Sequence, residues 1–92
     1  MTKILKFNKL KNNCYFIEIN NIIVLISYES TIGFIYNDIL YISEYYIKYS
    51  KTTTNHINLF KNNLSFNTEK IINNNDMYLF FENIQFNNKI FD

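Results

Sequence analysis

The side chains best suited to nucleophilic or metal chemistry are the single histidine, His56, and the single cysteine, Cys14. A catalytic Cys-His dyad needs the two side chains in contact and a group that orients the base. The two residues are distant in sequence, and no catalytic signature surrounds either of them. One histidine and one cysteine are also too few for a zinc site. We therefore predict no enzyme activity, no metal and no cofactor, and expect His56 to hydrogen-bond a neighbouring strand or hydroxyl from a helix.

A run of hydroxyl groups precedes a helical pattern. Its residues are Ser50, Lys51, Thr52, Thr53 and Thr54. One or two such hydroxyls are typical of a helix N-cap. A helix start also binds anions through its free N–H groups and dipole, and Lys48 would add charge. No glycine-rich turn supports a P-loop. Two interpretations stay open: plain capping, and the binding of an anion or nucleotide.

Tyrosines crowd the stretch before this run, where Tyr41, Tyr45, Tyr46 and Tyr49 occur within nine residues. Exposed tyrosine beside lysine suits base stacking, and it equally suits a protein interface. Core packing is the alternative. We predict that a functional surface centres on residues 45–56. The candidate binding residues are Tyr45, Tyr46, Lys48, Tyr49, Ser50, Lys51, Thr52, Thr53, Thr54 and His56.

Composition narrows the class of protein. The 92 residues are 48% hydrophobic, carry a net charge of +1 and include nine lysines but no arginine. This balance disfavours a dedicated duplex-DNA binder, which is usually basic and uses arginine for bidentate contacts. A lone cysteine and the lack of a signal peptide predict a cytoplasmic protein. The longest apolar run, residues 22–26, is too short to span a membrane.

Residues 1–92 are predicted to form a single α+β domain. Alternating apolar residues predict an antiparallel meander of four or five strands over residues 14–49, with 45–49 in its last strand. Turns are expected at 12–13, 20–21, 29–30 and 37–38. The continuously apolar segment 22–28 is typical of a central strand buried on both faces. Gly33 indicates a bulge or a close approach of backbone.

The apolar period then changes from 2 to 3.6, which predicts helices near 53–64 and 76–85 that pack on one face of the sheet. Asn75 is the expected cap of the second helix. Residues 65–75 are predicted to be a loop, in which 70–72 is a candidate strand. The expected core residues of the two helices are Ile57, Phe60, Phe80 and Phe81.

The segment 49–60, Tyr-Ser-Lys-Thr-Thr-Thr-Asn-His-Ile-Asn-Leu-Phe, together with Val24–Thr31 and the closing Phe80–Ile84, resembles a family of small uncharacterised bacteriophage and prophage proteins. Ile32 stands where that family commonly has proline. The resemblance covers residues 15–85. It implies a viral or mobile-element origin and no particular chemistry.

These observations predict a phage-type accessory protein that acts in the host cytoplasm by non-catalytic binding to a protein partner. Inhibition of a host defence complex, as by anti-CRISPR proteins, is one concrete version. The alternative is a nucleic-acid or nucleotide module that uses residues 50–54 with nearby tyrosine and lysine. The apolar C-terminal residues Phe86, Ile90 and Phe91 are expected to dock on the core or on a second subunit, as in a homodimer.

Overall fold

The computed structural model describes the backbone of residues 5–19 and 21–87 and the side chains of residues 7–19 and 21–82. The strands are β1 (Leu5–Lys11), β2 (Cys14–Ile19), β3 (Ile22–Ser27), β4 (Ser30–Tyr36), β5 (Ile39–Ser43) and β6 (Thr68–Ile72). The helices are α1 (Glu44–Ile47), α2 (Lys51–Asn63) and α3 (Asn74–Asn87). The strands lie in one sheet in the order β1-β2-β3-β4-β5-β6.

Strands β2 to β5 form the antiparallel meander predicted within residues 14–49, and β1 pairs antiparallel with β2 as an additional strand before it. Asn13 has a φ of 62°, and Asn37 and Asp38 have φ values of 53° and 64°. Asparagine and aspartate tolerate this left-handed backbone better than most residues. The predicted turns at 12–13 and 37–38 are therefore confirmed, whereas the turn at 29–30 begins one residue earlier, at Tyr28.

The sheet has six strands, more than predicted, and it is mixed. Strand β6 pairs in parallel with β5, from Ile39 opposite Thr68 to Ser43 opposite Ile72. The candidate strand at residues 70–72 is confirmed as the end of β6, which begins two residues earlier, at Thr68. Its sequence Thr-Glu-Lys-Ile-Ile is mostly exposed at the edge of the sheet and has no alternating apolar pattern. Parallel neighbours need a crossover connection, and α1 and α2 provide it.

The prediction that residues 45–49 lie in the last strand of the meander is wrong, because residues 44–47 form a helical turn. Tyrosine and isoleucine favour strands, but here packing overrides the local preference. Tyr46 and Ile47 pack against the core cluster that contains Phe60 of α2. Buried Ser43 marks the change of direction, and its hydroxyl donates a hydrogen bond of 2.8 Å to Asn74 Oδ1. The crossover connection therefore begins directly at the end of β5.

The prediction that both helices pack on one face of the sheet is wrong. Ile57 and Phe60 of α2 belong to a cluster with Leu25, and Met77 of α3 belongs to another with Phe34. Adjacent residues of a strand point to opposite faces, and Val24 and Leu25 belong to different clusters. The central strands are therefore apolar on both sides because a helix covers each side.

The expected core residues are confirmed for α2 and only in part for α3. Ile57 and Phe60 are buried, whereas Phe80 and Phe81 are half-buried. The buried residue of α3 is Met77, which is 1% exposed. Met77 belongs to the predicted helical face, but the aromatic residues one turn later lie nearer the rim of the helix.

Gly33 is needed because two backbones approach closely. A Cβ atom at this position would collide with the carbonyl oxygen of Tyr41 in β5. On its other side, the pairing of β3 with β4 shifts register between Leu25 and Ile26, as at a β-bulge. The predicted bulge and close approach are both present. This shift brings Ile32 and Ile35 into the same core cluster beneath α2.

Candidate functional site

The one histidine lies inside the protein, between α2 and the sheet. His56 is 3% exposed, and a hydrogen bond of 2.7 Å joins its Nδ1 atom to the hydroxyl of Ser27 at the end of β3. Ser27 is also buried. The structure therefore places His56 in the role that the sequence predicted for it, that of a helix residue bonded to a neighbouring strand hydroxyl.

Three further side chains surround this pair. Cys14 of β2 is the Cα partner of Ser27, and the ring of Tyr28 lies 5.7 Å from the imidazole between centroids. Burial lowers the pKa of His56 below its ordinary value of 6.5, and the positive charge of Lys11 lowers this pKa further. The ring therefore favours the neutral form, because a buried cation beside a lysine is unfavourable.

Cys14 is fully buried in the same region. Burial raises the pKa of its thiol above the ordinary value, although the charge of Lys11 partly offsets the effect. The thiolate is the reactive form of cysteine, so a buried thiol with a raised pKa is a poor nucleophile. Folding brings Cys14, Ser27 and His56 into one region, but it encloses them.

Tyr28 has a backbone conformation that is unusual for a large side chain. Its φ is 59°, and its N–H donates a hydrogen bond of 2.8 Å to the carbonyl oxygen of Asn13. A left-handed conformation costs a non-glycine residue about 1–2 kcal/mol. The hydrogen bond and the contact with His56 hold Tyr28 in this conformation, although half of its surface is exposed.

The hydroxyl run at the start of α2 is largely engaged in local hydrogen bonds. Ser50 is the N-cap, and its hydroxyl accepts from the N–H of Thr53 at 3.0 Å and donates to the Thr53 hydroxyl at 3.1 Å. The Thr54 hydroxyl lies 3.1 Å from the carbonyl oxygens of Ile47 and Ser50. These bonds tie α1 to α2. Thr52 is exposed, whereas Thr53 is buried.

The tyrosines of the junction form one aromatic group on the outside. The centroid of the Tyr45 ring lies 4.8 Å from that of Tyr46 and 5.6 Å from that of Tyr49, and the Tyr46 and Tyr49 centroids are 5.7 Å apart. Tyr45 is 57% exposed and Tyr49 is 60% exposed, while Tyr46 is half-buried. Lys48 and Lys51 are exposed beside them. These five residues are called the junction surface below.

The helical turn α1 explains this grouping. In an extended strand, Tyr45 and Tyr49 would lie on the opposite face from Tyr46. Winding residues 44–47 into a turn brings all three rings into mutual contact instead. The predicted candidate residues thus divide into an outer group around the tyrosines and an inner group that contains Thr53 and His56. Sequence reasoning did not single out Ser27 or Tyr28, because no local pattern links them to His56, which lies 29 residues after Ser27.

The described residues include no group of three or more His, Cys, Asp or Glu side chains placed to hold a metal ion. Within the same part of the chain, no helix is both long and apolar enough to cross a membrane. The candidate site therefore has two parts: a buried hydroxyl–imidazole pair and an exposed aromatic and basic surface.

Fold and site together define a small α+β protein whose exposed aromatic surface lies where a crossover connection leaves the sheet. The chain belongs to DUF8033, a family of unknown function, whose model matches residues 2–78. This match includes strands β1 to β6, the junction surface and the first residues of α3. No curated protein and no solved structure is significantly similar to the chain.

Proposed function

We propose that the protein acts by binding a protein partner through the junction surface, without a catalytic step. The observation that supports this proposal is the contact among three tyrosine rings, two of which are more than half exposed. Tyrosine is enriched among the residues that dominate binding energy at protein interfaces. Rings that already support one another lose little freedom on binding, so more of the contact energy is retained.

The charges of the surface favour an acidic partner. Lys48 and Lys51 flank the tyrosines, and Glu44 is the one acidic residue of α1. Complementary charge mainly speeds association and selects the partner, whereas buried aromatic area supplies most of the affinity. We therefore assign the tyrosines the larger share of binding energy and the two lysines a role in selection.

The resemblance to phage and prophage proteins extends the proposal to a biological setting. A small non-enzymatic protein from a mobile element would act on a host or viral complex, and a host defence complex is one such target. The family match carries no information on activity, so this part of the proposal depends on identifying the bound protein.

A nucleic acid or nucleotide is the competing ligand. Phosphate binding at the start of α2 would need free donors, but the Ser50, Thr53 and Thr54 hydroxyls are engaged in hydrogen bonds within the junction. Two lysines alone provide little charge for a phosphate backbone. The arrangement therefore supports protein binding more than nucleic-acid binding.

The test is affinity capture from cells that make the protein, with three tagged proteins in parallel. The first is the natural chain, the second carries Tyr45→Ala and Tyr49→Ala, and the third carries Tyr78→Ala. Tyr78 is a matched control because it is 58% exposed on α3, which covers the other face of the sheet. We expect the natural chain to capture proteins that stay bound after nuclease treatment and in moderate salt. The double variant should fail to capture these proteins, and the Tyr78→Ala control should capture them as the natural chain does.

Two outcomes would contradict the proposal. One is capture that disappears with nuclease or collapses with salt, which would identify a nucleic acid as the ligand. The other is equal capture by the natural chain and the double variant, which would show that the junction surface does not bind the partner.

A further inference from the structure

We propose that the buried contact of His56 with Ser27 makes the packing of α2 on the sheet sensitive to acid, and that protonation of His56 weakens this packing without detaching α2. This regulation is separate from partner binding, but its consequence for the junction surface rests on the proposed function. The geometry that carries it is a buried polar contact between a helix and a strand. Both side chains are 3% exposed, and the two atoms are 2.7 Å apart.

The serine hydroxyl can pair with either form of the imidazole because it both donates and accepts, so the acid sensitivity comes from the buried charge and not from loss of the hydrogen bond. In the neutral ring, one nitrogen donates and the other accepts, so Nδ1 and the serine hydroxyl can supply one donor and one acceptor. Both nitrogens of the imidazolium donate, and the ion also needs compensation for the water it has lost. Protonation would therefore place an uncompensated charge between α2 and β3.

The neighbouring groups oppose protonation. Those that lie beside the pair are Lys11 from β1, Cys14 from β2 and Tyr28 from the β3–β4 turn. On α1, which packs against α2, Glu44 and Lys48 are both exposed. Among the described residues, no ion pair joins His56 to a carboxylate. The nearest charge that acts on the ring is thus a lysine of the same sign.

The sign of the pH effect follows from the direction of the pKa shift. Burial lowers the pKa of His56 in the folded protein, so the opened state binds more protons than the closed state below pH 6.5. The closed arrangement is fully stable above this value and loses stability as the pH falls through the folded pKa. If the folded ring stays neutral at pH 5.5, linkage with an ordinary value of 6.5 weakens closure by at most about ten-fold.

Opening of α2 would disturb the junction surface. At the start of α2, the Thr54 hydroxyl donates to the carbonyl oxygens of Ile47 in α1 and of Ser50, the N-cap of α2. Tyr46 packs against the core cluster that contains Phe60. These contacts between α1 and α2 are lost when α2 moves away from the sheet. Acid should therefore make opening of the junction surface more frequent by the same factor, about ten-fold at most, without any titration of the tyrosines themselves.

The experiment is amide hydrogen exchange on the free full-length chain at pH 7.5 and 5.5, corrected for intrinsic exchange rates. We expect protection of residues 51–63 to fall several-fold and by no more than about ten-fold, while β3 and β4 keep their protection. His56→Asn is the matched variant, because its amide group takes the place of Nδ1 without titrating. It should fold at both pH values and show no selective loss in α2.

Three results would overturn the inference: unchanged protection of α2, an equal loss in β3 and β4, or the same selective loss in His56→Asn. Should His56→Asn fail to fold, Lys11→Gln replaces it, since removing the neighbouring charge should raise the folded pKa of His56 towards 6.5 and so make the loss of protection in α2 on acidification smaller than in the natural chain. Because His56 is the only histidine, its ring proton resonance also gives a direct titration curve. All these measurements use the free protein, so their failure would leave the proposed binding function untouched.

Discussion

Replacing Phe60 with alanine tests whether α2 contributes more than α3 to the stability of the core. Phe60 is 1% exposed and packs in the cluster that contains Leu25 and Leu40. Truncating a fully buried phenylalanine costs about 3–5 kcal/mol through lost transfer energy and the cavity left behind. A chain of 92 residues has a free energy of unfolding of roughly 5–14 kcal/mol. The variant should therefore lose a large share of its stability.

The assay is urea denaturation followed by circular dichroism, with thermal melting as a second measurement. Phe60→Ala should lower the melting temperature by about 12 °C or more. Phe80→Ala should cost less, about 1–3 kcal/mol, because Phe80 is half-buried although its ring stacks on Phe34 at 4.0 Å. Leu79→Ala is the surface control and should change stability by about 0.5 kcal/mol at most. A larger loss for Phe80→Ala than for Phe60→Ala would refute the assignment of the main core to the α2 side.

Two other substitutions and one labelling experiment test local features. Gly33→Ala should destabilise the sheet and shift the β5 resonances in nuclear magnetic resonance spectra, because its Cβ would meet the Tyr41 carbonyl oxygen; unchanged spectra would contradict the close approach. Ser50→Ala should cost about 1 kcal/mol of unfolding free energy in urea, since Ser50 caps α2, and a neutral effect would show that the cap is dispensable. Cys14 should react with a thiol reagent in urea but far more slowly in the native protein, and equal rates would contradict its burial.

Much of the fold could be predicted from the sequence because it depends on local patterns. Asn13, Asn37 and Asp38 favour the left-handed turns that they form, and the apolar segment 22–27 is the buried strand that its composition indicates. The shift to a helical period near Ser50 locates α2 to within two or three residues. The cap of α3 lay two residues before the expected Asn75, since Asn73 Oδ1 accepts from the Asp76 N–H at 2.8 Å.

The features that could not be predicted depend on contacts between distant segments. Only residues 70–72 of β6 were a candidate strand, because the strand lies at an edge and begins with polar residues, and its parallel pairing with β5 leaves no local pattern. The two helical faces looked equivalent in sequence, and only the alternation of β3 and β4 residues assigns them to opposite sides of the sheet. The Ser27–His56 bond joins β3 to α2, so either residue alone gave no sign of it. The interpretation of Phe86, Ile90 and Phe91 as docking residues falls on side chains outside the described residues.

The placement of the candidate surface at residues 45–56 stays a prediction, but the structure changes the shape that we expected for this region. An extended strand would have separated the tyrosine rings, whereas the helical turn α1 brings Tyr45, Tyr46 and Tyr49 together. The hydroxyl run that suggested a phosphate site is engaged in fastening α1 to α2. The proposed binding function therefore depends on the aromatic rings and not on the hydroxyl groups.

The most direct test of the central proposal is the affinity of the purified partner for the natural chain and for the Tyr45→Ala, Tyr49→Ala variant, by isothermal titration calorimetry. Loss of two hot-spot tyrosines should raise the dissociation constant at least about thirty-fold, since removing each of them costs more than about 1 kcal/mol of binding free energy. Tyr78→Ala should bind normally, and melting curves should show all three proteins folded. An unchanged dissociation constant for the folded double variant would contradict the proposal that the junction surface binds the partner.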